Sequence, residues 1–151
     1  MAGIRVDNGT REIEVNDKGE RIQVFLDDAA FMQRFADVMK YFEDKQAELQ
    51  KWEAERKERY PQKDGEGASV GEIVENVYTY ADLCRDTCVK LDELFGEGCC
   101  RKVFGEVKVP GLKIIGSFFV QMQGELQRLT AEWNAELEKE YSGSRKGARS
   151  K

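Results

Sequence analysis

Eight residues, Val70, Val74, Val77, Ala81, Cys84, Cys88, Leu91 and Phe95, recur at a 4-3-4-3-4-3-4 spacing. That period places all eight on one face of an α-helix, whereas a strand would scatter them over two faces. A face this long must be covered by other helices, so the chain is constrained toward a bundle. Ser69 and Glu72 form a capping box at the start of this helix. Gly96 and Gly98 end it, because glycine readily takes the left-handed backbone of a helix C-terminus.

Two further stripes supply the cover. Phe31, Phe35, Val38, Phe42, Leu49 and Trp52 predict a helix from Ala29, capped by Asp27 or Asp28 and interrupted only at Lys45. Beyond Trp52 the run EAERKERY is nearly all charged, which predicts a projecting, solvated helix end that stops before Pro61. Leu112, Ile115, Phe119, Met122, Leu126, Leu129 and Trp133 predict a last helix, with Ile114 and Phe118 widening its stripe and Pro110 at its first position. Gly111, Gly116 and Gly124 lie in this segment at a cost of about 1 kcal/mol each. Close approach by a neighbour and flexibility are equal explanations for them. Between the two stripes, CCRKVF makes one more helical turn, ended by Gly105.

Residues 3–26 read as strands. Asn8-Gly9 is a hairpin signal between IRVD and TREIEV, and Asn16-Asp17-Lys18-Gly19 is a second turn. Ile13 and Val15, then Ile22, Val24 and Leu26, alternate with polar residues, so Ile13, Val15, Ile22 and Val24 are expected on the buried face. The fold class is α+β, mainly α: an N-terminal three-stranded antiparallel β-meander, then a bundle of three longer helices and one short helical turn. Residues 1–141 are expected to form a single domain with a flexible link at 61–68, and residues 142–151 a disordered basic tail.

The composition removes several functions. With no histidine, Ser-His and Cys-His nucleophile pairs are impossible. The tail SGSRKGARSK holds four basic residues and no acid, so residues 1–141 carry −9 against −5 for the chain. An acidic body argues against nucleic acid as the main partner. No apolar run approaches a membrane span and the N-terminus has no apolar signal core, so a cytosolic protein with reduced cysteines is expected. Cys84, Cys88, Cys99 and Cys100 lack the C-x2-C knuckles of zinc sites, and the first two fall in register with the apolar seam. Core packing explains those two, a redox role stays open for Cys99-Cys100 although no C-x-x-C motif is present, and a zinc or thiol enzyme is the weakest reading. Asp92, Glu93 and Glu97 read as a solvated face, and FGEG and GEGAS lack the spacing of a phosphate loop. No catalytic residue, metal or cofactor is therefore expected.

The corner at residues 91–105, LDELFGEGCCRKVFG, resembles the small tail assembly chaperones of long-tailed bacteriophages. In that family a helix runs into F-G-E-G, then a short basic-apolar turn, another glycine and a final helix. Residues 91–98, 101–105 and 110–141 match these elements, and the likeness covers residues 70–135. Cys99 and Cys100 stand where the family often has small polar residues. The resemblance implies a non-enzymatic protein of the infected host's cytoplasm that binds the helical tape-measure protein, keeps it soluble during tail assembly, and self-associates. A competing expectation is a small phage-encoded acidic inhibitor or adaptor of a host protein, such as a defence or nucleic-acid-binding factor. Leu49, Trp52 and Trp133, where apolar stripes run into crowded charge, are the candidate protein-binding residues, with core packing as the alternative.

Overall fold

The computed structural model describes residues 3–60 and 69–141 in full and the backbone of residues 142–149. Two strands, β1 (Thr10–Glu14) and β2 (Arg21–Phe25), precede four helices: α1 (Ala29–Arg59), α2 (Val70–Phe95), α3 (Cys99–Phe104) and α4 (Leu112–Arg149). The fold is mainly helical with a small antiparallel sheet. The expected link at 61–68 lies outside the described residues.

Among the described residues the sheet has two strands rather than three. Ile13 pairs with Ile22 and Arg11 with Val24, so the second turn forms as the spacing requires. Ile22 and Val24 are buried, and Ile13 and Val15 are half-buried against the same core. The first hairpin fails because a side chain diverts the Thr10 amide that would close it. The Gly9 N–H donates to Asp7 Oδ1 at 3.0 Å and the Thr10 N–H to Asn8 Oδ1 at 3.0 Å. The second of these Asx-type bonds competes with the backbone bonds of a two-residue hairpin. Residues 3–6 then have no strand partner.

The helices form where their periodicity places them. Asp28 caps α1 by accepting from the Ala30 and Phe31 amides at 2.9 and 3.3 Å. Ser69 Oγ caps α2 through the Glu72 amide at 3.2 Å. Aromatic rings lock the centre together. Phe31 and Phe35 of α1 meet Phe95 of α2 edge-on, while Phe35 and Phe42 meet Phe119 of α4, with centroids 5.2–6.1 Å apart. Pro110 stands two residues ahead of Leu112, so it leads into α4 and does not occupy its first position. The Tyr80 hydroxyl accepts the Leu112 N–H at 2.9 Å, satisfying an amide that α4 itself leaves open. α4 also runs eight residues past Tyr141, where sequence reading ends it. No proline interrupts that stretch.

The corner at residues 91–105 is built as its glycines dictate. Gly96, Gly98 and Gly105 all have positive φ, at 110°, 84° and 66°. Asp92 turns back to accept the Cys100 N–H at 2.9 Å, so this carboxylate caps α3. Arg34 of α1 donates to the Glu93 carbonyl at 2.9 Å and helps close α2.

Candidate partner-binding surface

α1 and α2 run antiparallel along their length, tied by Arg34 to Glu93 near one end and by Arg56 to Asn76 near the other. α4 enters this pair only at the level of Tyr80, through the Leu112 amide, and then descends past Phe42 toward the start of α1. Beyond that level the two helices continue as an arm of about ten residues each.

The apolar seam of α2 divides at this point. Cys84, Leu91 and Phe95 are buried in the core. Val70, Ile73, Val74 and Val77 on the arm are 77%, 49%, 42% and 57% exposed. The side of the arm turned toward α1 is polar instead: Glu72 is buried, and Glu75, Asn76 and Thr79 are half-buried. Arg56 holds this inner side, donating to Asn76 Oδ1 at 3.0 Å and pairing with Glu75 at 3.3 Å. The Tyr60 hydroxyl donates to Glu75 Oε1 at 2.9 Å, and that acceptor raises the phenol's pKa. The Tyr60 ring packs against Gly71, where a Cβ would come within 2.9 Å of it. The arm is therefore zipped by polar groups, with its apolar stripe facing outward. This is the reverse of the usual amphipathic arrangement.

The three sequence candidates do not converge. Leu49 is 5% exposed and Trp133 9%, so both pack inside, while Trp52 is 38% exposed. Trp52 faces a groove of about 310 Å³ lined by Glu55, Arg56, Arg59 and Thr79. Lys45 places its ammonium 5.9 Å from the Trp52 ring centroid and bonds Glu48 at 2.9 Å, which raises the lysine's pKa. Trp133 lies at the other end of α1. Its ring would meet a Cβ on Gly9 at 3.0 Å, and the same Cβ would lie 3.4 Å from the Asp27 amide. Arg11 covers this indole at 6.0 Å while gripping Asp7 through two bonds of 2.9 and 3.0 Å. Arg11, followed by the Gly9 amide, holds the Asp7 carboxyl at about 2, below its ordinary 3.8. The buried Trp133 N–H has no acceptor in bonding geometry, and its effect on Asp7 is the smallest of those that lower that pKa.

The residues missed as surface are Val70, Val74 and Val77. Their signal, the seam itself, is present in the sequence. What the sequence leaves unsaid is that α4 starts too late to cover them.

Cys84 and Cys88 lie lower on the same seam, and Cys99 and Cys100 lie on α3. Cys84 and Cys99 are buried, and burial pushes them up to about 11 and about 12. Cys88, expected to be buried, is half-buried because it faces α3 at the corner. The Cys100 thiol donates to the Cys88 carbonyl at 3.4 Å, and its interaction with the Cys88 sulfur lowers the Cys88 pKa and raises its own. No group of three or more His, Cys, Asp or Glu is placed to hold a metal among the described residues. None of the described helices is long and apolar enough to cross a membrane.

A family model described as a family of unknown function matches residues 18–151 of the chain. No curated protein and no solved structure matches it.

Proposed function

The chain belongs to that family, DUF6673, and we propose that it is a non-enzymatic binding protein that holds an α-helical partner along the exposed seam of the α1–α2 arm. The observation that carries this reading is the inversion of the arm, with Val70, Ile73, Val74 and Val77 outward and Glu72, Glu75 and Asn76 inward. A stripe with helical spacing is complementary to another amphipathic helix, which docks through residues at i, i+3, i+4 and i+7. Burying one valine or isoleucine contributes roughly 1.5–3 kcal/mol, so four partly exposed ones support a docked helix of a few turns. Trp52 supplies an aromatic contact on the neighbouring helix.

The resemblance at residues 91–105 supplies the partner: the helical tape-measure protein of a long-tailed phage, held soluble in the host cytoplasm while the tail assembles. The acidic body suits that role by keeping a complex with an apolar helical protein in solution. Co-expression with the tape-measure protein of the same phage tests the proposal. The wild type is expected to keep that protein soluble and co-purify with it. Val74→Glu/Val77→Glu and Trp52→Glu are expected to lose it while keeping their helical circular dichroism. A wild type that fails to hold it sinks the chaperone reading. Variants that hold it as well as wild type move the contact away from the arm.

A further inference from the structure

A second binding feature lies on the other side of the molecule, independent of the arm. A groove of about 680 Å³ runs between β1, the end of α3 and α4. Phe104, Phe118 and Met122 give one wall apolar area, beside Lys113, Gln121 and Glu125 of α4. Ile13, Glu14 and Val15 form the opposite wall. Successive strand residues point to opposite faces, so a groove touching all three runs along the strand's edge. That edge is the unpaired one, since β2 occupies the other.

The pairing shows which main-chain groups are open. Val15 donates to the Glu20 carbonyl at 2.9 Å and Leu26 to the Gly9 carbonyl at 2.9 Å. Residues 9, 11, 13 and 15 thus bond toward β2, and the amides and carbonyls of Glu12 and Glu14 point outward. Such an edge is a template for another strand.

The chain also carries a strand without a sheet. Residues 3–6 read GIRV, with Ile4 93% and Val6 78% exposed. Folding back on their own β1 would need the Thr10 amide to close the turn, and Asn8 Oδ1 takes that amide. Arg11 anchors Asp7 on top of that turn.

We propose that residues 4–6 of a second copy of this chain add as an antiparallel strand to the free edge of β1 and fill this groove. The register places Ile4 opposite Val15, Arg5 opposite Glu14, and Val6 opposite Ile13. Ile4 and Val6 then enter the groove on the side of Phe104, Phe118 and Met122. The main chain of Arg5 meets the outward groups of Glu14. The Arg5 guanidinium faces the Glu14 carboxylate, which has no ion-pair partner among the described residues. Each chain holds both the donor strand and the acceptor groove, so the exchange is reciprocal in a two-fold dimer.

Sedimentation of the full chain at about 100 µM tests this, because a contact this short is expected to be of micromolar strength. The wild type is expected to be a dimer, and Ile4→Asp/Val6→Asp a monomer with unchanged circular dichroism. Arg5→Glu is expected to weaken the dimer at least about tenfold, and Arg5→Glu/Glu14→Arg to restore it. A monomeric wild type overturns the proposal, and protection of its Glu14 amide from hydrogen exchange would show the chain's own segment in the groove. A dimer that persists in Ile4→Asp/Val6→Asp also overturns it and places self-association elsewhere.

Discussion

At the scale of single residues, the glycines and thiols make separable predictions. Gly111 is fixed by contact: a Cβ there would lie 2.6 Å from the Tyr80 hydroxyl that accepts the Leu112 amide. Gly111→Ala is therefore expected to destabilise the fold by about 1–2 kcal/mol, as that bond is displaced. Gly116 and Gly124 have open space where a Cβ would go and no positive φ. Alanine at either is expected to stabilise by about 0.5–1 kcal/mol. Urea titration of the three variants checks both signs, and a stabilised Gly111→Ala would refute the close-approach account. The cysteines predict an order of alkylation. Cys88 has its pKa lowered by Cys100, whereas burial raises Cys84 and Cys99 to about 11 and about 12. Thiolate is the reacting form, so mild iodoacetamide at pH 8 should label Cys88 first and Cys84 and Cys99 only after unfolding. Peptide mass mapping reads the order, and early labelling of Cys99 would contradict the burial. Residue types alone could not separate these glycines or thiols, because the deciding neighbours, Tyr80 and Cys100, are distant in sequence.

At the scale of elements, one seam gives two outcomes. Leu91 is buried, so Leu91→Ala is expected to cost about 2–5 kcal/mol. Val77 is exposed on the arm, so Val77→Glu is expected to stay within about 0.5 kcal/mol of wild type. Equal losses for the two would mean that the arm's stripe is covered. The seam's helical character was readable from its spacing, and so were the caps at Asp28 and Ser69 and the glycine corner, because each is a local property. Where the cover stops was not readable, since it depends on α4 meeting Tyr80 across the fold. The missing third strand has a local cause that the Asn8-Gly9 signal hides: the Asn8 side chain bonds the Thr10 amide that a hairpin needs. Charge surrounds Leu49 and Trp133 in sequence, yet both are buried, and Gly9 and Arg11, which meet the Trp133 indole, come from the far end of the chain. The clamp at Asp7 adds a pH prediction. Its folded pKa is depressed to about 2 from 3.8, so its contribution is present above 3.8 and lost as pH falls through about 2. Acid titration of Trp133 fluorescence, with Trp52 replaced by Phe, should show this transition in the parent and lose it in Asp7→Asn. An unchanged transition would assign it to another carboxylate.

At the scale of the whole molecule, stability is expected to fall into two tiers. The lower part joins three long helices, α3 and the sheet around a continuous aromatic cluster. Among the described residues the arm beyond Tyr80 has two helices, held on their inner side by Arg56, Glu75, Asn76 and Tyr60, with Val70, Ile73, Val74 and Val77 outside. Polar contacts at a half-exposed seam contribute little net free energy, while buried aromatic and aliphatic area contributes most of it. Local opening of the arm therefore needs less free energy than global unfolding. Hydrogen exchange should show amides of residues 50–58 and 72–79 exchanging at least about a hundredfold faster than those of residues 83–95 and 115–126. This softness has a use in the proposed function, since a partly open two-helix arm can adjust its stripe to different stretches of a long helical partner. Binding such a partner should then slow exchange in the arm and leave the lower part unchanged, because the partner stabilises only the closed arm. Uniform protection in the free protein would refute the two tiers. Protection confined to residues 83–95 on adding the partner would move the contact from the arm to the bundle, along the same seam but where it is already covered.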